Sequence, residues 1–182
     1  MSSTMSSTTY LAQGPRVAIR HVCRQDYEEL EGLARESSEM LRRWLSARDS
    51  SFEAFETYLG RFEQSTHEGF VICLQGTGAI VGGVNINNIV RGTIQSGTLG
   101  YTAYASTTGH GYMTEGLGLV MQFAFGTLEL HRLEANIQPE NTPSLNLVKR
   151  LRFVREGYSA DFQFINGAWR DHERWAITAE MA

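Results

Sequence analysis

Lysine is nearly missing from this chain. Lys149 is the only one, and arginine carries the rest of the positive charge, which we read as compositional bias and not as mechanism. Cysteine appears only as Cys23 and Cys73, without a paired motif. That spacing offers no disulfide framework and points to reduced, buried thiols; a cysteine nucleophile is the other reading, but no partner for one is identifiable. The five histidines, His21, His67, His110, His131 and His172, show no ligand spacing with one another or with cysteine, so no metal site is expected. No G-x-S-x-G elbow is present for a serine nucleophile. No apolar run approaches the length of a membrane span, and the amino-terminal residues lack the basic and apolar regions of a secretory signal. A net charge of −4 provides no broad attraction to nucleic acid or to an anionic membrane. These absences predict a cytoplasmic protein that engages neither.

What is present suits one domain of ordinary globular composition, 182 residues long and 42% apolar. Residues 1–14 begin with Ser, Thr and Met in an echoed MSST and have little to bury, so a disordered tail is expected there, with the domain over 15–182. Val17, Ile19 and Val22 suggest a first strand. Asp26 with Glu29 reads as a capping box for a helix carrying Leu30, Leu33, Ala34 and Met40-Leu41. Ser50 with Glu53 reads as a second, before an aromatic helix containing Phe52, Phe55, Tyr58 and Phe62. Strands follow over 69–75, 80–89 and 98–105. After a long helix come a strand over 132–137, a short helix capped by Thr142 with Pro143 at its first position, and a hairpin turning at Asn166-Gly167. This order implies an α/β (α+β) fold, one mixed sheet with helices on its faces.

The stretch Gly109-His110-Gly111-Tyr112-Met113-Thr114-Glu115 stands between a strand and the long helix that carries Leu117, Val120, Met121, Ala124, Phe125 and Leu128. Glycines there let the backbone approach a ligand, and unpaired N–H groups at a helix start attract an anion. A nucleotide P-loop would need Lys and Ser/Thr after the last glycine, and a dinucleotide loop a third glycine where Thr114 stands. A pyrophosphate held by backbone amides fits what remains, and so does an unliganded glycine turn.

Leu99-Gly100-Tyr101, GHGYMTE and LELHRLEANIQPENTPSLNLVKRLRF together resemble the GNAT superfamily of N-acetyltransferases, in particular the ribosomal-protein N-terminal acetyltransferase type (RimJ/RimL-like), over residues 15–180. The resemblance implies a mostly antiparallel sheet splayed in the middle, with acetyl-CoA bound in the gap as acyl donor. It implies that Gly109, His110, Gly111, Tyr112, Met113 and Thr114 hold the pyrophosphate, while Thr102, Ala103 and Asn141 meet the pantetheine arm. Ser144 would donate to the departing sulfur; an ordinary helix-start serine is the competing reading. Trp44, from an L-x-x-W-L segment, and Asn85, from the run Asn85, Asn87 and Asn88, are the candidate acceptor contacts. Trp44 could equally be a core aromatic. Three departures stand out. Thr98 replaces the glutamate that often serves as base, Ser106 replaces the Gln or Arg that often opens the loop, and Arg152 replaces the glycine after the short helix.

No general base is therefore visible. An α-amine has a pKa of about 7.7–8.0 against about 10.4 for lysine, so neutralising lysine at pH 7 costs about 3.5 kcal/mol more. The expected reaction is acetyl transfer to a primary amine, with a protein N-terminus as first acceptor. A small amine (amino acid, polyamine or amine antibiotic) is the alternative, and a non-catalytic acyl-CoA-binding protein is a third reading. A homodimer stays open.

Overall fold

The computed structural model describes residues 9–182; the MSST echo lies outside the described residues. Its strands are β1 (Ala12–Gln13), β2 (Val17–His21), β3 (Glu68–Leu74), β4 (Ile80–Val90), β5 (Ser96–Ala103), β6 (Arg132–Ile137), β7 (Val154–Ile165) and β8 (Ala168–Thr178). Its helices are α1 (Tyr27–Glu36), α2 (Ser38–Leu41), α3 (Phe52–Gly60), α4 (Tyr112–Gly126) and α5 (Thr142–Arg150). All eight strands join one sheet in the order β1-β2-β3-β4-β5-β6-β8-β7. Ala12 and Gln13, which the sequence reading placed in the tail, pair with Ile19 and Ala18 at the edge of the sheet.

Alternation along the strands makes two cores. On one face Phe70, Ile72, Val84, Leu99, Leu133, Ala135 and Trp175 pack with Leu117, Val120, Leu147 and Val148 of α4 and α5. On the other, Val71, Cys73, Ile80 and Tyr104 pack with Leu30 and Phe55 of α1 and α3. Helix α4 lies so close to β3 that a Cβ on Gly116 would come within 2.5 Å of Ile72. Lys149 projects from α5 over the Trp175 ring, 5.7 Å from its centroid.

Neighbouring strands are antiparallel except β5 and β6. That parallel pair holds only from Ser96↔Arg132 to Leu99↔Ala135. Beyond it, Gly100 to Ala103 stay paired with β4, and Asn136 and Ile137 stay paired with β8. Each strand keeps its outer neighbour, so the sheet opens into a V between them.

Several local expectations change. Asp26 precedes α1 but makes no cap; its carboxylate takes two bonds from Arg20, at 2.7 and 2.8 Å, and one from the Cys23 N–H. Glu29 accepts from the Ile80 N–H instead of completing a box. The cap of α3 is Ser51, not Ser50, bonded by the Ala54 N–H. The cap of α5 is Asn141, not Thr142, which moves Pro143 to the second helical position. Strand β5 starts and ends two residues before the expected 98–105 span. After α5, Arg152 itself adopts the left-handed conformation (φ +69). Its N–H reaches the Lys149 carbonyl and that of Phe153 the Val148 carbonyl, which closes a Schellman motif without glycine. The hairpin turn matches expectation: Asn166 (φ +52) and Gly167 (φ +78) both have positive φ, as a type I′ turn requires.

Candidate functional site

The V opens into a cleft of about 1190 Å³ that runs through the sheet. Its two ends differ in chemistry.

At one end sit the glycine loop and the start of α4. Gly109 (φ +80) and Gly111 (φ +78) hold a conformation that strains any residue with a Cβ. Gly111 is the N-cap and no side chain caps the helix, so its first N–H groups are left at the cleft that Gly111, Tyr112, Met113 and Thr114 line. Gly109 also lines it. His110 does not; its ring stacks on Tyr112, with centroids 5.2 Å apart, and its carbonyl accepts from Arg16.

Arg16 is a residue that sequence reasoning missed. It reaches the loop from the β1–β2 turn, donates Nη1 to the His110 carbonyl at 2.6 Å and Nε to Glu115 at 2.8 Å, and lies over the Tyr112 ring. Half its side-chain surface remains accessible, and it lines the cleft. The loop therefore has a side-chain cation after all, supplied from far along the chain. Glu115 also accepts the N–H groups of Arg16 and Val17. Burial pulls its carboxyl pKa upward, but those bonds and the guanidinium outweigh it and hold the pKa below the ordinary value.

In the middle, Ser144 lies in the first turn of α5, where the Asn141 side-chain oxygen accepts its N–H at 3.3 Å. The Ser144 hydroxyl is 2.7 Å from that of Tyr101 on β5. Burial pushes the Tyr101 phenol up to about 12, although the Ser144 bond acts the other way. Thr102 and Ala103 lie on the part of β5 that has lost its β6 partner, and both line the cleft, as does Asn141. Tyr101 is the second residue missed. Its signal was present, since alternation from buried Leu99 places residue 101 on the same face.

At the far end, the cleft is lined by Leu41 at the end of α2, by Trp44 and Leu45 just after it, by Gln163 and Ile165 of β7, and by His172 of β8. Trp44 is half-buried, outside both cores, and its carbonyl accepts from Gln138 at 3.1 Å. The hairpin tip bridges these walls: Asn166 donates its side-chain amide to the Arg42 carbonyl at 2.7 Å and its N–H to Ser46 Oγ at 3.0 Å. Asn85 is not at the cleft. It accepts from the Tyr58 hydroxyl at 2.8 Å, while Asn87, Asn88 and Thr98 line the wall instead.

Cys73 is buried as expected but Cys23 is exposed; neither lines the cleft, and desolvation raises both thiol pKa values, that of Cys73 to about 11. A cysteine nucleophile has no place here. Among the described residues no cluster of three or more His, Cys, Asp or Glu could hold a metal ion, and no helix is long and apolar enough to cross a membrane.

Comparison with known proteins agrees with this geometry. The family described as "Acetyltransferase (GNAT) domain" matches residues 16–154. The chain is 32% identical to the [Ribosomal protein uS5]-alanine N-acetyltransferase of Escherichia coli, over 90% of this chain and 88% of that one. It is 29% identical to the spermidine N(1)-acetyltransferase of Vibrio cholerae, over 38% of this chain and 40% of the other. The solved structure of Mycobacterium smegmatis RimJ in complex with CoA-disulfide superposes with a TM-score of 0.84 at 30% identity, covering 92% of this chain and 87% of that one.

Proposed function

The chain belongs to the acetyltransferase (GNAT) domain family and is an N-acetyltransferase with acetyl-CoA as acyl donor, and on that premise we propose that its acceptor is a protein N-terminal α-amine. One observation carries this choice over a polyamine. The only carboxylate among the described residues lining the cleft is Glu115, which is tied to Arg16 at the glycine-loop end, while the acceptor end carries Arg61. A polyamine brings two or more positive charges and would have nothing to pair with there. A peptide brings one amine and a neutral backbone. The E. coli relative, named for an alanine of ribosomal protein uS5, supports the same reading. An acceptor of that kind would also put the enzyme in the cytoplasm.

In this reading the donor pyrophosphate rests on the uncapped N–H groups of Gly111 to Thr114, with Gly109 giving the close approach and Arg16 the countercharge. The pantetheine arm runs along the unpaired edge of β5 at Thr102 and Ala103, where a backbone N–H polarises the thioester carbonyl. Asn141 spends its oxygen on Ser144, so its NH₂ is the group left to meet pantetheine. Trp44 frames the acceptor, with Asn87 in the place expected of Asn85. Ser144, backed by Tyr101, delivers a proton to the departing sulfur. That pair supports catalysis over the non-catalytic binder. Phe164 and Trp169, each 60% exposed on the edge hairpin, favour a homodimer, which light scattering would detect.

The test combines binding and turnover. Acetyl-CoA at a hundred times its Kd should stabilise the fold by about 2.7 kcal/mol and raise Tm accordingly. CoA release should be faster with peptides beginning in alanine or serine than with spermidine. Release with spermidine alone would move the acceptor to small amines, and no thermal shift would remove the donor assignment.

A further inference from the structure

One buried titratable side chain at the cleft has no part in the chemistry so far. His172 is 3% exposed, yet it lines the cleft. Its Nδ1 is 3.0 Å from the Arg170 carbonyl, which fixes Nδ1 as the protonated nitrogen and leaves Nε2 as an acceptor. No protein group bonds Nε2 among the described residues, and no buried side-chain nitrogen or oxygen there lacks a partner. Nε2 is therefore open to the cleft.

Register sets its side of the sheet. Leu99, Ala135 and Trp175 form the last row in which β5, β6 and β8 stand side by side, and they face α5. Three residues further along β5 and β8 come Thr102 and His172, on the opposite face. The Trp44 turn covers that face, with Gln138 bonded to it. Tyr101 and Ser144 sit on the α5 face. The V thus has a hydroxyl pair on one side and the Nε2 of an imidazole on the other. Thr98, which lines the same cleft, has no basic group to offer.

We propose that His172 is the base that takes the proton from the acceptor ammonium; this rests on the acetyltransferase reading above. Imidazole is the side chain most often used for such a transfer. Nε2 accepts one ammonium proton and passes it to solvent. The amine lone pair then bonds to the thioester carbonyl carbon, and the C–S bond breaks with its electron pair on sulfur. The second proton that nitrogen loses is balanced by the one that Ser144 and Tyr101 deliver to sulfur. The products are amide, CoA thiol and one proton. Three charged groups near the ring or along the same cleft are engaged elsewhere. Asp171 accepts from the Tyr158 hydroxyl and the Asp161 N–H, Arg170 donates to the Ile165 carbonyl, and Arg61 is held by Asn87. Arg174 stands two residues along the same strand, and the Phe162 ring flanks the imidazole at 5.4 Å.

The test uses two variants and two nucleophiles. His172→Asn keeps an N–H donor for the Arg170 carbonyl and removes Nε2; His172→Gln instead puts a non-basic amide near the position of Nε2. With an alanine-initiated peptide, of whose α-amine only about a tenth is neutral at pH 7, both should lower kcat/KM about tenfold at that pH. With hydroxylamine, already unprotonated at that pH, both should stay within about threefold of the parent because no proton needs removing first. Calorimetric affinity for acetyl-CoA should not change. An equal loss with both nucleophiles would make His172 a shape-determining residue and overturn the proposal, as would full peptide activity in His172→Asn. A parent protein that binds acetyl-CoA but releases no CoA with either nucleophile would sink the enzymatic reading itself, and the base with it.

Discussion

At the scale of single residues, the Ser144–Tyr101 contact is the most informative in the cleft. Two hydroxyls 2.7 Å apart can relay a proton only if the phenol keeps its own, and a pKa pushed up to about 12 ensures that through the neutral range. Ser144→Ala should therefore lower single-turnover acetylation at least about tenfold with donor affinity unchanged, because the sulfur needs a proton only in the transition state. Tyr101→Phe should do the same, and the double variant should lose little more than either alone, since both act on one proton. Additive losses would mean two independent roles. Ser144 was legible through its place in a motif, but its partner was not, because an alternating strand marks a face and not a contact across to a helix 43 residues away. Arg16 was less legible still. Its bond to Glu115 spans 99 residues, and nothing local to Pro15-Arg16 announces it.

Local elements show where pattern reading succeeds and where it slips. The Asn166-Gly167 turn was plain, because few dipeptides accept positive φ at both positions. Caps slipped by one residue where two capable side chains adjoin: Ser50 and Ser51, then Asn141 and Thr142. Propensity does not choose between such neighbours; the geometry of the preceding loop does. Asp26 slipped for a different reason. Its buried carboxylate is claimed by Arg20 from the neighbouring strand, a tertiary contact that outcompetes a cap. The distinction is measurable. Loss of a cap costs about 1 kcal/mol, whereas leaving Arg20 buried and unpaired costs about 3 kcal/mol or more. Asp26→Ala should show the larger figure by urea denaturation. Burial raises the Asp26 pKa, but the Arg20 bonds outweigh it and the net shift is downward. The pair's contribution is then fully present above the ordinary value of 3.8 and is lost as pH falls below it through the folded-state value. Asp26→Ala should accordingly abolish part of the acid sensitivity below about pH 4.

At the scale of the whole molecule, the element order and the mixed sheet follow from periodicity, but the parting of β5 from β6 does not. Ser96 to Ala103 and Arg132 to Ile137 read as ordinary strands, and nothing in either says that pairing stops at Leu99 and Ala135. Only the resemblance anticipated the gap. Across the far mouth of that gap, where the proposed acceptor would enter, the hairpin tip is bonded to the turn after α2, with Trp44 and Leu45 on one bank and Gln163 and Ile165 on the other. Asn166→Gly keeps the left-handed turn and drops the bond to the Arg42 carbonyl. It should raise KM for a peptide several-fold while leaving hydroxylamine turnover unchanged. The clasp closes the mouth into an eyelet. An eyelet accepts a thread by its free end and refuses the middle of the same thread. A lysine held within a folded surface cannot be passed through a loop, whereas the first residue of an extended chain can. The choice between two chemically similar amines would then be made by topology, before any proton moves.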